Sequence, residues 1–344
     1  MTAAASPQPE SPTFDRRTLL ITGGVAAAGL AAAPWLARIS KPKAQVFIAR
    51  HQRYDGPLAT TIRDGLMATG ADAAQFRGKR VLVKPNMVEP TRKIAHMTTH
   101  PAILVAAVEV FRDWDAEVVV GEAPGHVRDT EMALAESGLD HAVDDAGVRF
   151  ADLNYEPIAW QPNRGRSSKL DGFWFPRSVV EADYVVSLAK MKTHHWMGVT
   201  ASMKNLYGVL PGLAYGWPKN VLHHAGIPET VYDINASLPT LLAIVDGIDC
   251  MEGDGPILGS RKHMGLVVVG CNLPAVDATI ARIMGLVPER IPYLALAANS
   301  LGPLDESRIE QRGEAWREVA SPFKVLDRPH LRRLLNDRTG PLVT

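Results

Sequence analysis

Five short apolar runs, each ending in polar or ionisable residues, constrain this chain more than any other feature. They are Val81-Leu82-Val83, Val118-Val119-Val120, residues 184–189 (YVVSLA), residues 241–245 (LLAIV) and residues 265–269 (GLVVV). Runs of this length, rich in β-branched residues, read as strands buried on both faces. Helical spacing fills the intervals. Leu58, Ile62 and Leu66 recur on one face. Pro101 stands at a preferred first helical position, ahead of Ile103, Leu104, Ala107, Val108 and Phe111. Further helices are expected over residues 129–136, 228–237 and 273–285. Strands are also expected over residues 44–49 and near Ile309, and an aromatic hairpin or flap over residues 160–176. Strands alternating with helices predict the α/β class: a mostly parallel sheet with helices on both faces. No linker-like break follows residue 44, so a single large domain is expected.

The chain has 344 residues, 46% of them hydrophobic, which is ample for one core. Lys+Arg and Asp+Glu both number 37, giving zero formal net charge. That balance argues against nucleic acid as a partner, since its footprint is a basic excess. Only Cys250 and Cys271 are present, with no Cys-x-x-Cys. A zinc ribbon or a self-contained iron–sulfur cluster is therefore not expected. Two buried thiols are the simpler reading, with a disulfide the alternative.

Phe14-Asp15-Arg16-Arg17-Thr18-Leu19-Leu20 precedes an uncharged Ala/Gly-rich stretch reaching Ala37. Paired arginines before a weakly hydrophobic segment resemble a twin-arginine export signal, which would engage the twin-arginine machinery. An uncleaved N-terminal anchor is the alternative. The organisation expected is residues 1–37 as signal or anchor, 38–44 as linker, 45–330 as the α/β domain and 331–344 as a tail. The protein would be periplasmic, or tethered to the outer face of the cytoplasmic membrane.

The chemistry concentrates at the ends of the apolar runs. After Val83 come Lys84 and Asn86; after Val120 comes Glu122. After Ala189, a loop is expected to carry Lys190, Lys192 and His194, with Lys204 and Asn205 shortly behind. After Val245 come Asp246, Glu252 and Asp254; after Val269 come Cys271 and Asn272. In open parallel sheets, ligands bind beyond the carboxyl ends of the strands, so these groups would meet at one edge. Lysines are point cations suited to a carboxylate or phosphate. Lys190, Lys204, Asn86, Asn205 and His100, the last at a helix N-cap, are the expected anion-binding set. Lys84, Lys192 and His194 are the expected catalytic groups, His194 moving protons. Glu122, Asp246, Glu252 and Asp254 are hard oxygen donors, suited to a divalent metal.

Several of these residues carry a family resemblance. Val81-Leu82-Val83-Lys84-Pro85-Asn86, Thr99-His100-Pro101, Val120-Gly121-Glu122, Lys190-x-Lys192-Thr193-His194, Lys204-Asn205-Leu206-Tyr207-Gly208, Asp246-Gly247 and Glu252-Gly253-x-Gly255-Pro256 together resemble the domain of unknown function 362 family, over about residues 78–290. Many members of that family look like iron–sulfur proteins through an added cysteine module, which this sequence lacks. The sequence therefore predicts an enzyme acting on a small anionic ligand, metal-assisted or not. The alternative is a metal- or cofactor-binding accessory working with a separate iron–sulfur redox partner.

Overall fold

The computed structural model describes residues 43–343, apart from 90, 299 and 337–339. The readings of residues 1–37, and of the linker up to residue 42, lie outside the described residues.

Eight strands form the main path of one sheet: β1 (Ala44–Ala49), β2 (Arg80–Pro85), β3 (Glu117–Glu122), β4 (Arg149–Asp152), β7 (Tyr184–His194), β9 (Thr240–Glu252), β10 (Ser260–Gly270) and β11 (Ile309–Gly313). Their order is β11-β1-β10-β9-β7-β2-β3-β4. The ninth strand, β8 (Gly198–Thr200), folds back antiparallel on β7. From β4 to β9 every neighbouring pair is parallel, as is β1 with β11. β10 is antiparallel to both β9 and β1, so it alone on this path runs backwards. The order reverses between β2 and β7: the chain first builds outward through β3 and β4, then returns to the other side of β2. Such a switch point opens a crevice at the carboxyl ends.

Alternation along the strands sorts the core into two layers. Val81, Val83, Val186, Leu188, Ile244, Val267 and Val269 meet helices α1 (Leu58–Ala68) and α2 (Pro101–Asp113) on one face. Leu82, Val185, Ala189, Ala243, Val245, Leu266 and Val268 meet α3 (Ile227–Ser237) and α4 (Leu273–Ile283) on the other. Each fully buried side chain of this kind contributes about 1.5–3 kcal/mol. A one-residue slip of any central strand would exchange the two sets, so register is strongly fixed. Gly65 lets α1 lie close on the sheet: a Cβ there would stand 2.7 Å from Phe47 and 2.9 Å from Val269.

Off the sheet, β5 (Ile158–Pro162) and β6 (Gly172–Pro176) form the expected aromatic hairpin. Phe173 and Phe175 enter the core, while Trp160 and Trp174 stay exposed. The C-terminal segment packs too: Leu331, Leu334 and Leu335 are buried, and β13 (Leu342–Val343) pairs with β12 (Val325–Leu326).

Four local expectations are corrected. Lys190, Lys192 and His194 are not on a loop: β7 runs on to His194 because β8 and β9 still offer ladder partners. Asp246 and Glu252 likewise lie inside β9, not beyond it. Because β10 is reversed, Cys271 and Asn272 emerge at the opposite end of the sheet, where Asn272 caps α4 by accepting from the Ala275 N–H at 3.1 Å. Both thiols are free, with Cys250 buried but Cys271 exposed.

Candidate functional site

A cavity of about 230 Å³ opens at the carboxyl ends of β2, β3 and β7, beside the switch point. Four lysines line it, Lys84, Lys192, Lys204 and Lys219, against one carboxylate, Glu122. Asn86, Thr200, Asn205, Tyr207 and the histidines His126, His194, His195 and His223 add to the polar wall. Lys84, Lys192, Lys219 and Glu122 are all buried, and Lys204 is half-buried. Lysine and glutamate almost never reach such burial unpaired.

Each element delivers its group for a local reason. Pro85 ends β2, placing Lys84 and Asn86 at its mouth. Glu122 is the last residue of β3 and forms an ion pair with Lys84. Gly208 allows that pair to form, since a Cβ there would overlap Glu122 Oε1 and Lys84 Nζ. Lys204 and Asn205 ride on a one-turn helix, Ser202–Asn205. Buried Asp277 of α4 pins its start, accepting from the Ser202 N–H at 2.8 Å and the Met203 N–H at 3.0 Å. Asn205 is the hub. Its Oδ1 accepts from Lys84 Nζ at 2.7 Å and Asn86 Nδ2 at 3.0 Å. Its Nδ2 donates to Lys84 O and Ser187 Oγ, both at 3.1 Å.

Among the described residues, the remaining lysines form no ion pair with a carboxylate. Lys192 Nζ donates to Met97 O at 2.7 Å. Lys219 Nζ donates to Ala123 O at 2.8 Å and Tyr207 O at 3.1 Å. Lys219 also holds a left-handed backbone, φ 67°, a strain of order 1–3 kcal/mol for a non-glycine residue. Lys204 Nζ sits over the Tyr207 ring, 4.0 Å from its centroid.

Burial dominates the electrostatics. It lowers Lys204 and Lys219 to about 7, with positive Lys84 adding to both shifts. It takes Lys192 well below the ordinary lysine range, reinforced by Lys190, Lys84 and Lys204. It raises Glu122 to about 7, although Lys84 opposes the shift. His194 is held well below 6.5 by burial and by Lys204. Its Nδ1 accepts from the Trp196 N–H at 3.1 Å and the Met197 N–H at 3.4 Å. Neutral His194 therefore carries its proton on Nε2, as a fixed donor. Asn86 Oδ1 and Thr200 Oγ1 are buried without a hydrogen-bond partner among the described residues. The site thus combines a cluster of cationic side chains, unused polar atoms and groups titrating near neutrality, which makes it the candidate functional site of the described residues.

Residues 81–282, more than half of the chain, match Domain of unknown function (DUF362). The chain belongs to this family. It is 28% identical over 256 residues to the thylakoid-associated protein sll1697 of Synechocystis sp., covering 73% of this chain and 77% of that one. Among solved structures, it is similar to the lactate racemase apoprotein of Thermoanaerobacterium thermosaccharolyticum, with TM-score 0.40 and 14% identity. That match covers 71% of this chain and spans 57% of the other's length. A Thermotoga maritima protein gives TM-score 0.37 and 11% identity, over 65% of this chain and 57% of that one.

The DUF362 cavity gathers seven of the residues singled out in the sequence: Lys84, Asn86, Glu122, Lys192, His194, Lys204 and Asn205. The other five lie outside its lining. Lys190 sits directly opposite Asp246 in the β7–β9 register and pairs with it at 2.8 Å. Asp246 also accepts from the Tyr54 hydroxyl at 3.1 Å and the His100 N–H at 3.0 Å. His100 caps α2, its Nδ1 accepting from the Ala102 N–H, and stacks on Tyr54. Glu252 accepts from the Lys324 N–H at 3.1 Å and lies 3.6 Å from Lys262 Nζ. Asp254 faces His195 at 3.7 Å. The four carboxylates expected to share a metal are therefore tied to four separate partners. Among the described residues, no group of three or more His, Cys, Asp or Glu is placed to hold a metal ion. Sequence reasoning missed Lys219; its only signal was a lysine following Gly216-Trp217-Pro218.

Proposed function

We propose that the cavity binds a small anion bearing a carboxylate or phosphate group and exchanges a proton with it. One observation carries this reading: four lysines face a single carboxylate in one half-open cavity. Mutual repulsion of ammonium groups in a low-dielectric cavity is relieved only by deprotonation or by an arriving anion. Lys84, Lys192 and Lys219, held by fixed acceptors, would grip the anionic group. His194 Nε2 would donate a hydrogen bond to it. Glu122, at about 7, would exchange the proton, because a group poised near ambient pH is suited to both directions of transfer.

The relative described as thylakoid-associated, and Arg16-Arg17 ahead of an apolar stretch, support a place on a membrane surface or beyond the cytoplasm. Among the described residues, no helix is long and apolar enough to cross a membrane.

The test is isothermal titration calorimetry of the purified protein against malonate, malate and phosphate, repeated on Lys192→Met. Methionine keeps most of the buried volume and removes the amine. At least one anion should bind the native protein and lose at least tenfold in affinity on K192M. Binding that ignores the substitution, or no binding at all, would overturn the reading.

A further inference from the structure

One lysine of the cavity differs from the others. Lys84 forms an ion pair with Glu122 and donates to Asn205, Lys192 donates to Met97 O, and Lys219 to Ala123 O and Tyr207 O. Those nitrogens are aimed and held, as anion clamps need to be. Among the described residues Lys204 Nζ makes no hydrogen bond or ion pair, and only the Tyr207 ring face supports it. A ring face is a weaker and less directional partner than a carbonyl oxygen, so this nitrogen is the least tethered of the four. Lys204 is also only half-buried, so a ligand can reach it. An amine desolvated beside other cations is the arrangement that makes lysine nucleophilic toward carbonyls.

We propose that Lys204 is an imine-forming nucleophile and that the ligand class is a small oxo acid, an anion carrying a ketone or aldehyde carbon. This rests on the anion-binding reading and deepens it: Lys84, Lys192 and Lys219 hold the carboxylate while Lys204 attacks the neighbouring carbonyl carbon. The Nζ lone pair forms the C–N bond and the carbonyl π pair moves to oxygen. Two protons, one from the amine and one from an acid, go to that oxygen. It leaves as water, and a protonated C=N bond replaces C=O, the nitrogen keeping the amine's second proton. No oxidant or reductant is consumed. Glu122 and His194 are the proton-carrying groups that line the same space. With its value near 7, Lys204 holds on the order of a thousand times more free amine at pH 7 than an exposed lysine near 10.4.

The probe is pyruvate or 2-oxoglutarate with sodium cyanoborohydride, which reduces an imine to a stable secondary amine. The full-length protein is treated, weighed by intact mass spectrometry and peptide-mapped. One adduct is expected, on the peptide holding Lys204, and excess malonate should suppress it. Lys204→Met should abolish it, while exposed Lys169→Met should leave it unchanged. Mapping the native protein keeps the result decisive if K204M misfolds. If malonate or phosphate binds by calorimetry but no adduct forms, or the adduct falls on another lysine, the imine role is overturned and the anion site survives. If no anion binds, the anion-binding reading fails, and the imine role fails with it.

Discussion

The lysine cluster makes anion binding a proton-uptake reaction, and the uptake can be counted. At pH 8 a lysine with a value of about 7 is about nine-tenths neutral, so Lys204 and Lys219 together carry about 0.2 of a proton. Malonate brings a second carboxylate to the place where an oxo acid has its carbonyl, so it favours the charged form of both lysines and draws both values back toward 10.5, whereas an oxo acid leaves Lys204 free to attack. Each lysine then takes up about 0.9 of a proton, nearly two in all. Glu122, also near 7 and mostly ionised at pH 8, is pushed toward its protonated form by a neighbouring anion and adds to the count in the same direction. Linkage converts this into affinity: with about two protons bound per anion, Kd should rise about a hundredfold between pH 8 and pH 9. The assay is calorimetry with malonate at pH 8 in buffers of different ionisation enthalpy. The observed heat plotted against buffer heat has the proton count as its slope. Lys204→Met and Lys219→Met should each lower that slope by about one. A slope indistinguishable from zero with clear binding would mean that the lysines stay charged in the empty cavity, and the electrostatic argument would be wrong.

Three further outcomes follow from the same geometry. Gly208→Ala places a methyl against Glu122 and Lys84; overpacking of this kind costs about 1–3 kcal/mol, so urea unfolding should shift accordingly and malonate binding should be lost. Lys190→Met strands buried Asp246, which predicts a loss of about 3–5 kcal/mol by denaturant titration, while the protein still folded at low temperature keeps its affinity for malonate; lost affinity in the folded protein would return Lys190 to the site. Without ligand, stability should rise from pH 7 to 9. Lys204 and Lys219 titrate near 7 when folded and near 10.5 when unfolded, so the unfolded chain binds more protons in that window, by at most about 2–3 kcal/mol per pH unit. Melting temperatures that fall across the window would contradict the buried-amine picture.

Strand identity was legible in the sequence, while strand direction was not. Val81–Val83 and Val118–Val120 are apolar on both faces, and only a sheet covered by helices accommodates that. The run ending at Val269 has the same composition, and nothing in it encodes that β10 runs backwards; its hairpin with β9 is set by the turn through residues 253–259. Cys271 and Asn272 were therefore placed at the wrong end. Strand ends were blurred for a related reason. Lys190 and Lys192 look like loop residues, because two charges in a buried ladder are costly unless something answers each one. Asp246 answers the first across the β7–β9 register, and that contact spans 56 residues. The carboxylates illustrate the same limit: Asp246, Glu252 and Asp254 are close in sequence, but six residues of extended strand set Asp246 about 20 Å from Glu252, and Asp254 lies past the end of β9. Lys219 could not be read at all, since its place depends on a loop reaching back to Ala123 and Tyr207.

The site residues that were legible are those whose neighbours in sequence also build the site. Lys84 and Asn86 share the end of one strand, and Lys204 and Asn205 share one helical turn. Asn205 ties the two pairs together, and Asp277 fixes the turn that carries it. This scaffold is satisfied: Asn205 uses both ends of its amide, and Asp277 accepts from two N–H groups and the Ser202 hydroxyl. Several unsatisfied groups stand together on the cavity wall: among the described residues Lys204 lacks an acceptor, Asn86 Oδ1 and Thr200 Oγ1 lack partners, and Lys219 keeps a strained backbone. A wall that served only stability would have no use for such a cluster, since each of those groups destabilises the empty protein. An anion with a carbonyl would meet the ammonium groups and the free amine together, and its binding would remove the frustration that the rest of the fold is rigid enough to hold.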